Sequence, residues 1–169
     1  MDPYAWAWDR EALVLVPALS IAYAASLRTY PAPRWRVGAF VAGQALLLAV
    51  LISPLQTLAL GYLLSAHLLQ NVVLAEWAPA LAVLGLSPGL AAALLRLPGG
   101  RFFTHPLFAL PVWLVTYFAW HVPWAYDAAL RNPSWLLHLE HAAYFATGCL
   151  LWWPVIHSAL RPPVKAGYL

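Results

Sequence analysis

Apolar residues along this chain come in long unbroken blocks, not in the alternation of a half-buried strand or the one-sided stripe of a soluble helix, and polar residues gather between the blocks. The blocks cover 12–27, 37–52, 58–84, 106–124 and 136–156. A helix rising about 1.5 Å per residue needs about 20 residues to cross about 30 Å of hydrocarbon, and the blocks lie near that length. They predict an all-α fold, a polytopic membrane helix bundle of about five transmembrane helices, forming a single transmembrane domain over residues 1–169. The first two blocks are short and extend into aromatic flanks, Trp6 and Trp8 on one and Trp35 on the other, because indoles favour the headgroup boundary. Pro17, Pro79, Pro111 and Pro154 fall inside or near the ends of blocks and predict kinks. Pro31 with Pro33, Pro98 with Gly99 and Gly100, and Pro162 with Pro163 mark connections. There is no internal repeat.

Composition agrees about the solvent. The chain is 63% hydrophobic and 9% charged over 169 residues, which reads as integral membrane. Its net charge of +3 is spread over loops and gives no footprint for nucleic acid. The lone cysteine, Cys149, excludes an intrachain disulfide and a Cys-pair metal site. Asp2, Asp9, Arg10 and Glu11 precede the first block, giving neither a basic start nor a small-residue cleavage signal, so that block is expected to be retained. No nucleophile and base arrangement, phosphate-cradling glycine loop or nucleotide fingerprint points to an enzyme.

Loop charges set an orientation. Arg28, Arg34, Arg36, Arg96, Arg101, Arg161 and Lys165 fall on one side of a five-span chain, while Arg10 and Arg131 fall on the other beside Asp2, Asp9, Glu11 and Asp127. The positive-inside rule then predicts an amino terminus outside and a carboxyl terminus in the cytoplasm of a bacterial cell (inner) membrane. Small residues on the first two spans, among them Ala22, Ala25, Gly38, Ala42 and Gly43, allow close packing within the chain, in a homo-oligomer or against partner helices.

Imidazoles are the candidate chemistry, because placing several at one membrane depth is costly without a function. Directions of the spans put His67, His121, His138 and His141 toward the outer side, His67 about 9 Å below Gly61 and His121 within about 5 Å of Trp124. His138 and His141 share a helix face, and Asn71 lies one turn below His67. These four histidines are the expected metal ligands, with Asn71, Glu140 and Asp127 in support. Glu140 points away from His138 and is expected to pair Arg131, to cap the helix or to hold an imidazole. Pro123 cannot bond back to Ala119, so the helix end beside His121 is loosened. His105 and His157 sit at the opposite ends of their spans, where interfacial or helix-terminus roles suffice. Glu76 lies about 13 Å deeper than His67 on the opposite face, as an interhelical hydrogen-bonding group. Imidazoles bind copper, zinc or haem iron, so a bis-histidine haem protein is the alternative to a copper site.

The strings SAHLLQNVVLAEWAPALAVLG and THPLFALPVWLVTYFAWHVPWAYDAALRNPSWLLHLEHAAYFATGCLLWWPV resemble the CtaG-like cytochrome c oxidase assembly factors, in matching order from about Ile52 to Val155. The resemblance implies a membrane protein whose partners are cytochrome c oxidase subunits, with His67, His121, His138, Glu140 and His141 at the family's characteristic polar positions. It implies copper passed to the oxidase from the outer side. This chain has Asn71 where the family usually carries a second histidine, and Val72, Ala75 and Glu76 at methionine-like positions. Five expected spans against the family's usual seven suggest a shortened member. A metal-free accessory subunit on the same scaffold is the third expectation.

Overall fold

The computed structural model describes residues 2–132, 134–158, 165, 167 and 168, and these are helical throughout with no strand among them. Arg161, Pro162 and Pro163 lie outside the described residues. The helices are α1 (Arg10–Ser26), α2 (Arg34–Ile52), α3 (Pro54–Gly61), α4 (Leu64–Val72), α5 (Ala78–Gly85), α6 (Pro88–Leu95), α7 (Gly100–Phe103), α8 (Pro106–Trp120), α9 (Pro123–Arg131) and α10 (Leu136–His157). A π-helical stretch, Val73–Trp77, joins α4 to α5. Caps explain several starts: Asp9 accepts from the Glu11 and Ala12 amides, Ser53 from Leu55, Ser87 from Leu90, and His105 from Leu107. Proline stands in the first turn of α3, α6, α8 and α9, where its missing donor costs nothing.

Three features depart from the block reading. The stretch 58–84 is not one helix. Gly61 ends α3, Tyr62 and Leu63 leave helical geometry, and α4 starts afresh at Leu64, so α3 folds back against α4. The stretch 106–124 ends at Trp120, and α9 departs from α8 at 71°, as a proline at 123 requires. Between α5 and α8 the connection contains the short helices α6 and α7, with Gly99 at φ 78° supplying the left-handed residue that turns the chain into α7.

Among the described residues, α2 and the continuous stretch Leu64–Gly85 are long and apolar enough to cross a bilayer, and α8 with α9 qualifies as one bent span. α1 has 17 residues, and α10 has 22 but carries His138, Glu140 and His141 in its first two turns. The result is a membrane-type helical bundle.

Its core lies where α1, α2, the π stretch, α5 and α10 meet, around Val16, Leu47, Leu51, Leu74, Ala78 and Tyr144. Small residues set the spacing. A Cβ on Gly43 would meet the Ala78 carbonyl at 3.0 Å, so α2 lies directly on α5, whereas Gly38 has nothing within 4 Å. α4 and α10 run in the same direction: the start of α10 adjoins the α3–α4 end, and its last turn reaches Val83 through His157 Nε2, which donates to the carbonyl at 2.9 Å. One end of the bundle therefore holds Asp9, Gln56, His67 and His138, and the other holds Arg36, Ser87 and His157.

Candidate metal-handling site

The break at Tyr62–Leu63 changes the position of His67. Instead of lying mid-helix about 9 Å below Gly61, it occupies the first turn of α4, level with the starts of α9 and α10. It is 1% exposed, and the edge of the Tyr126 ring from α9 covers it at 5.2 Å between centroids. Asn71, one turn on and also buried, places its Nδ2 3.2 Å from His67 Nε2. His67 Nδ1 has no hydrogen-bond partner among the described residues, nor does Asn71 Oδ1. Turning the amide so that Oδ1 accepts from Nε2–H leaves Nδ1 with a free lone pair, the tautomer that ligates a metal. Asn71 is thus built to orient His67.

His121 ends α8 and is exposed. Its Nδ1 donates to the Tyr117 carbonyl at 2.7 Å, its ring stacks on Tyr117, and the Tyr144 hydroxyl approaches the same nitrogen at 3.4 Å. With Nδ1 protonated, Nε2 carries the lone pair. Pro123 holds this turn open, as the sequence suggested.

His138 and His141 face the start of α1. His138 Nε2 lies 3.5 Å from Asp9 Oδ2, and His141 Nδ1 lies 3.3 Å from Glu11 Oε2. His141 is buried, and its Nε2 has no hydrogen-bond partner among the described residues. It lies within electrostatic range of His67, which is also within range of His121. His67, His121 and His141 thus lie within electrostatic range at one end of the bundle, and His138 turns outward to Asp9.

Glu140 is not where the charge pattern put it. Arg131 pairs with Asp127 at 3.0 Å on the exposed face of α9, so Asp127 is a surface partner of Arg131, outside the histidine group. Glu140 is instead 1% exposed and faces the Tyr144 hydroxyl, with His141 and His121 in electrostatic range. Inward pointing follows from its position in the second turn of α10, against the buried Leu137, His141 and Tyr144. His105 and His157 serve helix ends, capping α8 and tying α10 to α5.

The sequence put Gln70 near His67, but sequence reasoning did not place Asp9, Glu11, Gln56 or Tyr144 here. Gln70 donates to the Val50 carbonyl at 2.9 Å and to Gln56 Oε1, and Gln56 Nε2 reaches Asp9 Oδ2 at 3.5 Å. The available signal was the run of acids before the first apolar block, which the loop count had already put at the same end as the histidines.

A family profile described as cytochrome c oxidase caa3 assembly factor (CtaG) matches residues 19–169. The chain belongs to that family. No curated protein and no solved structure gives a significant match. The matched span contains every histidine of this assembly factor's site, while Asp9 and Glu11 lie before it.

Proposed function

We propose that this assembly factor holds copper transiently at His67, His121 and His141, beside Glu140, and yields it to a subunit of a caa3-type oxidase at the outer face of a bacterial cell membrane. The role is non-catalytic: the metal is cargo, bound by few ligands so that it can leave. One observation carries the reading. His67 Nδ1 and His141 Nε2 are buried ring nitrogens without hydrogen bonds among the described residues, and the buried Glu140 carboxylate lies in electrostatic range of His141 and His121. Burying such groups unpaired costs several kcal/mol in total, at roughly 1–3 kcal/mol each, unless a ligand satisfies them. Imidazole suits copper, and one carboxylate offsets part of the ion's charge.

Metal analysis of protein purified from membranes tests this. Copper is expected to co-purify, and His67→Asn with His141→Asn to lower it by at least about tenfold, with a parallel fall in the copper content of the oxidase. Absence of copper from the purified protein, or unchanged oxidase copper in the double variant, would overturn the reading. A Soret band in place of copper would assign the same imidazoles to haem.

A further inference from the structure

We infer that Asp9, Glu11 and His138 form a divalent-cation site at the rim of the bundle, separate from the buried histidine group. One ligand atom from each lies within 4.8 Å of the others. The Asp9 and Glu11 side chains are only 8% and 9% exposed, and His138 is 29% exposed. Two carboxylates that close, with an imidazole beside them, are a donor set that suits a shared divalent cation.

The distance between ligands leaves room for an ion. Asp9 Oδ2 and His138 Nε2 are 3.5 Å apart. That spacing is near the edge of a tetrahedron around a metal with bonds of about 2.1 Å, which is about 3.4 Å. Local structure holds the ligands in place. Asp9 caps α1 through Oδ1, which accepts from Glu11 N at 2.8 Å, and this leaves Oδ2 turned toward His138. Gln56 also reaches Oδ2, and His141 Nδ1 reaches Glu11 Oε2, so both carboxylates are oriented from behind.

An ion can reach the site. A cleft of about 580 Å³ lined by Arg10, Glu11, Ser134, Trp135 and His138 opens beside it. Arg10 offsets one of the two carboxylate charges and leaves the rim net negative when His138 is neutral. Two oxygens and one imidazole, with room for water, suit divalent zinc, cobalt or cupric ion over a soft monovalent one. His141 bridges the sites, with Nδ1 at the rim carboxylate and Nε2 in the interior.

Cobalt(II) titration of the full-length protein in detergent, read by visible absorption, tests the site without reference to copper. The wild type is expected to bind one cobalt ion that zinc displaces, and Asp9→Asn, Glu11→Gln and His138→Asn each to weaken uptake by at least about tenfold. Asn is as good a helix cap as Asp, so the Asp9→Asn loss cannot be ascribed to a frayed α1. Asp127→Asn, an exposed carboxylate outside both groups, should keep wild-type cobalt affinity. No cobalt uptake by the wild type, or wild-type affinity in Asp9→Asn, overturns the rim site. Absence of copper from the purified wild type with cobalt uptake intact would overturn only the interior copper reading.

Discussion

Glu140 is the residue whose role the helix angles alone could not assign. Lying about 200° from His138 on α10 separates the two, but whether that face meets lipid, loop or core depends on how the other helices pack against it. The same limit hid Asp9 and Glu11: the Glu11–His141 contact joins residues 130 apart in sequence, and no spacing rule reaches that far. What local pattern did show was the set of imidazoles, because each is an expensive exception within an apolar block. The buried carboxylate supports a specific expectation. Glu140→Gln keeps the shape and removes the charge, so copper retention should fall by about tenfold while the stability of metal-free protein stays within about 1 kcal/mol of wild type. Thermal unfolding and metal analysis of the same preparations check both. A fall in both quantities would make Glu140 a structural group and not one that meets cargo.

At the level of elements, the blocks predicted where helices lie better than where they break. The π stretch shows why. A proline at 79 collides with the carbonyl four residues back, that of Ala75, and the helix accommodates it by widening over Val73–Trp77. The displaced Ala75 carbonyl accepts from Trp113 Nε1 at 3.2 Å and presses against Gly148 of α10, where an added Cβ would sit 2.2 Å from that oxygen and 2.7 Å from Pro79 Cγ. Glu76 leaves the helix axis in the same widened turn and lines a groove with Leu46, Trp77 and Trp152, so its place follows from the π geometry. Gly148→Ala should therefore destabilise by about 1–3 kcal/mol or more, the usual range for overpacking, whereas Gly38→Ala, with open space around it, should be neutral or slightly stabilising. Unfolding of the two variants in detergent, compared side by side, checks the difference. If the two shift equally, the close crossing of α10 over the π stretch is wrong.

A second element-level device closes the other end of α5. Its last carbonyls have no partners within the helix, and donors from other helices supply them. Arg36 Nη1 donates to Leu84 and Leu86 at 2.6 and 2.7 Å, and the Tyr23 hydroxyl donates to Gly85 at 2.9 Å. The end of α1 and the start of α2 are thereby fixed to the end of α5. Arg36→Leu should cost about 2 kcal/mol through the loss of charged hydrogen bonds, with Arg36→Lys intermediate because one ammonium replaces a planar fork. Thermal midpoints of the two variants order the effects, and a Leu variant as stable as wild type would show the carbonyls to be satisfied by other groups.

For the whole molecule, the arrangement of charge across the bundle makes the strongest claim on topology. Arg28, Arg34 and Arg36 stand at the turn from α1 to α2, Arg96 and Arg101 follow α5, and Lys165 Nζ donates to the Val155 carbonyl near the end of α10 at 2.7 Å. The opposite end has Asp9, Glu11 and Asp127, with only Arg10 and Arg131 as cations. A membrane that retains basic segments in the cytoplasm then orients the molecule one way, with the rim carboxylates and the histidine group facing outward. This expectation separates the copper reading from its rivals, because cargo destined for an oxidase's outer domain must be held on that side. Single cysteines at exposed positions measure it, in a Cys149→Ala background that removes the one native thiol. Cysteine replacing Ser134, on the rim beside His138, should react with a membrane-impermeant maleimide in intact cells. Cysteine replacing Arg101 should react only after the membrane is opened. The reverse pattern would place the imidazoles on the cytoplasmic side, and handing copper outward from them would then be ruled out even if the metal itself were bound.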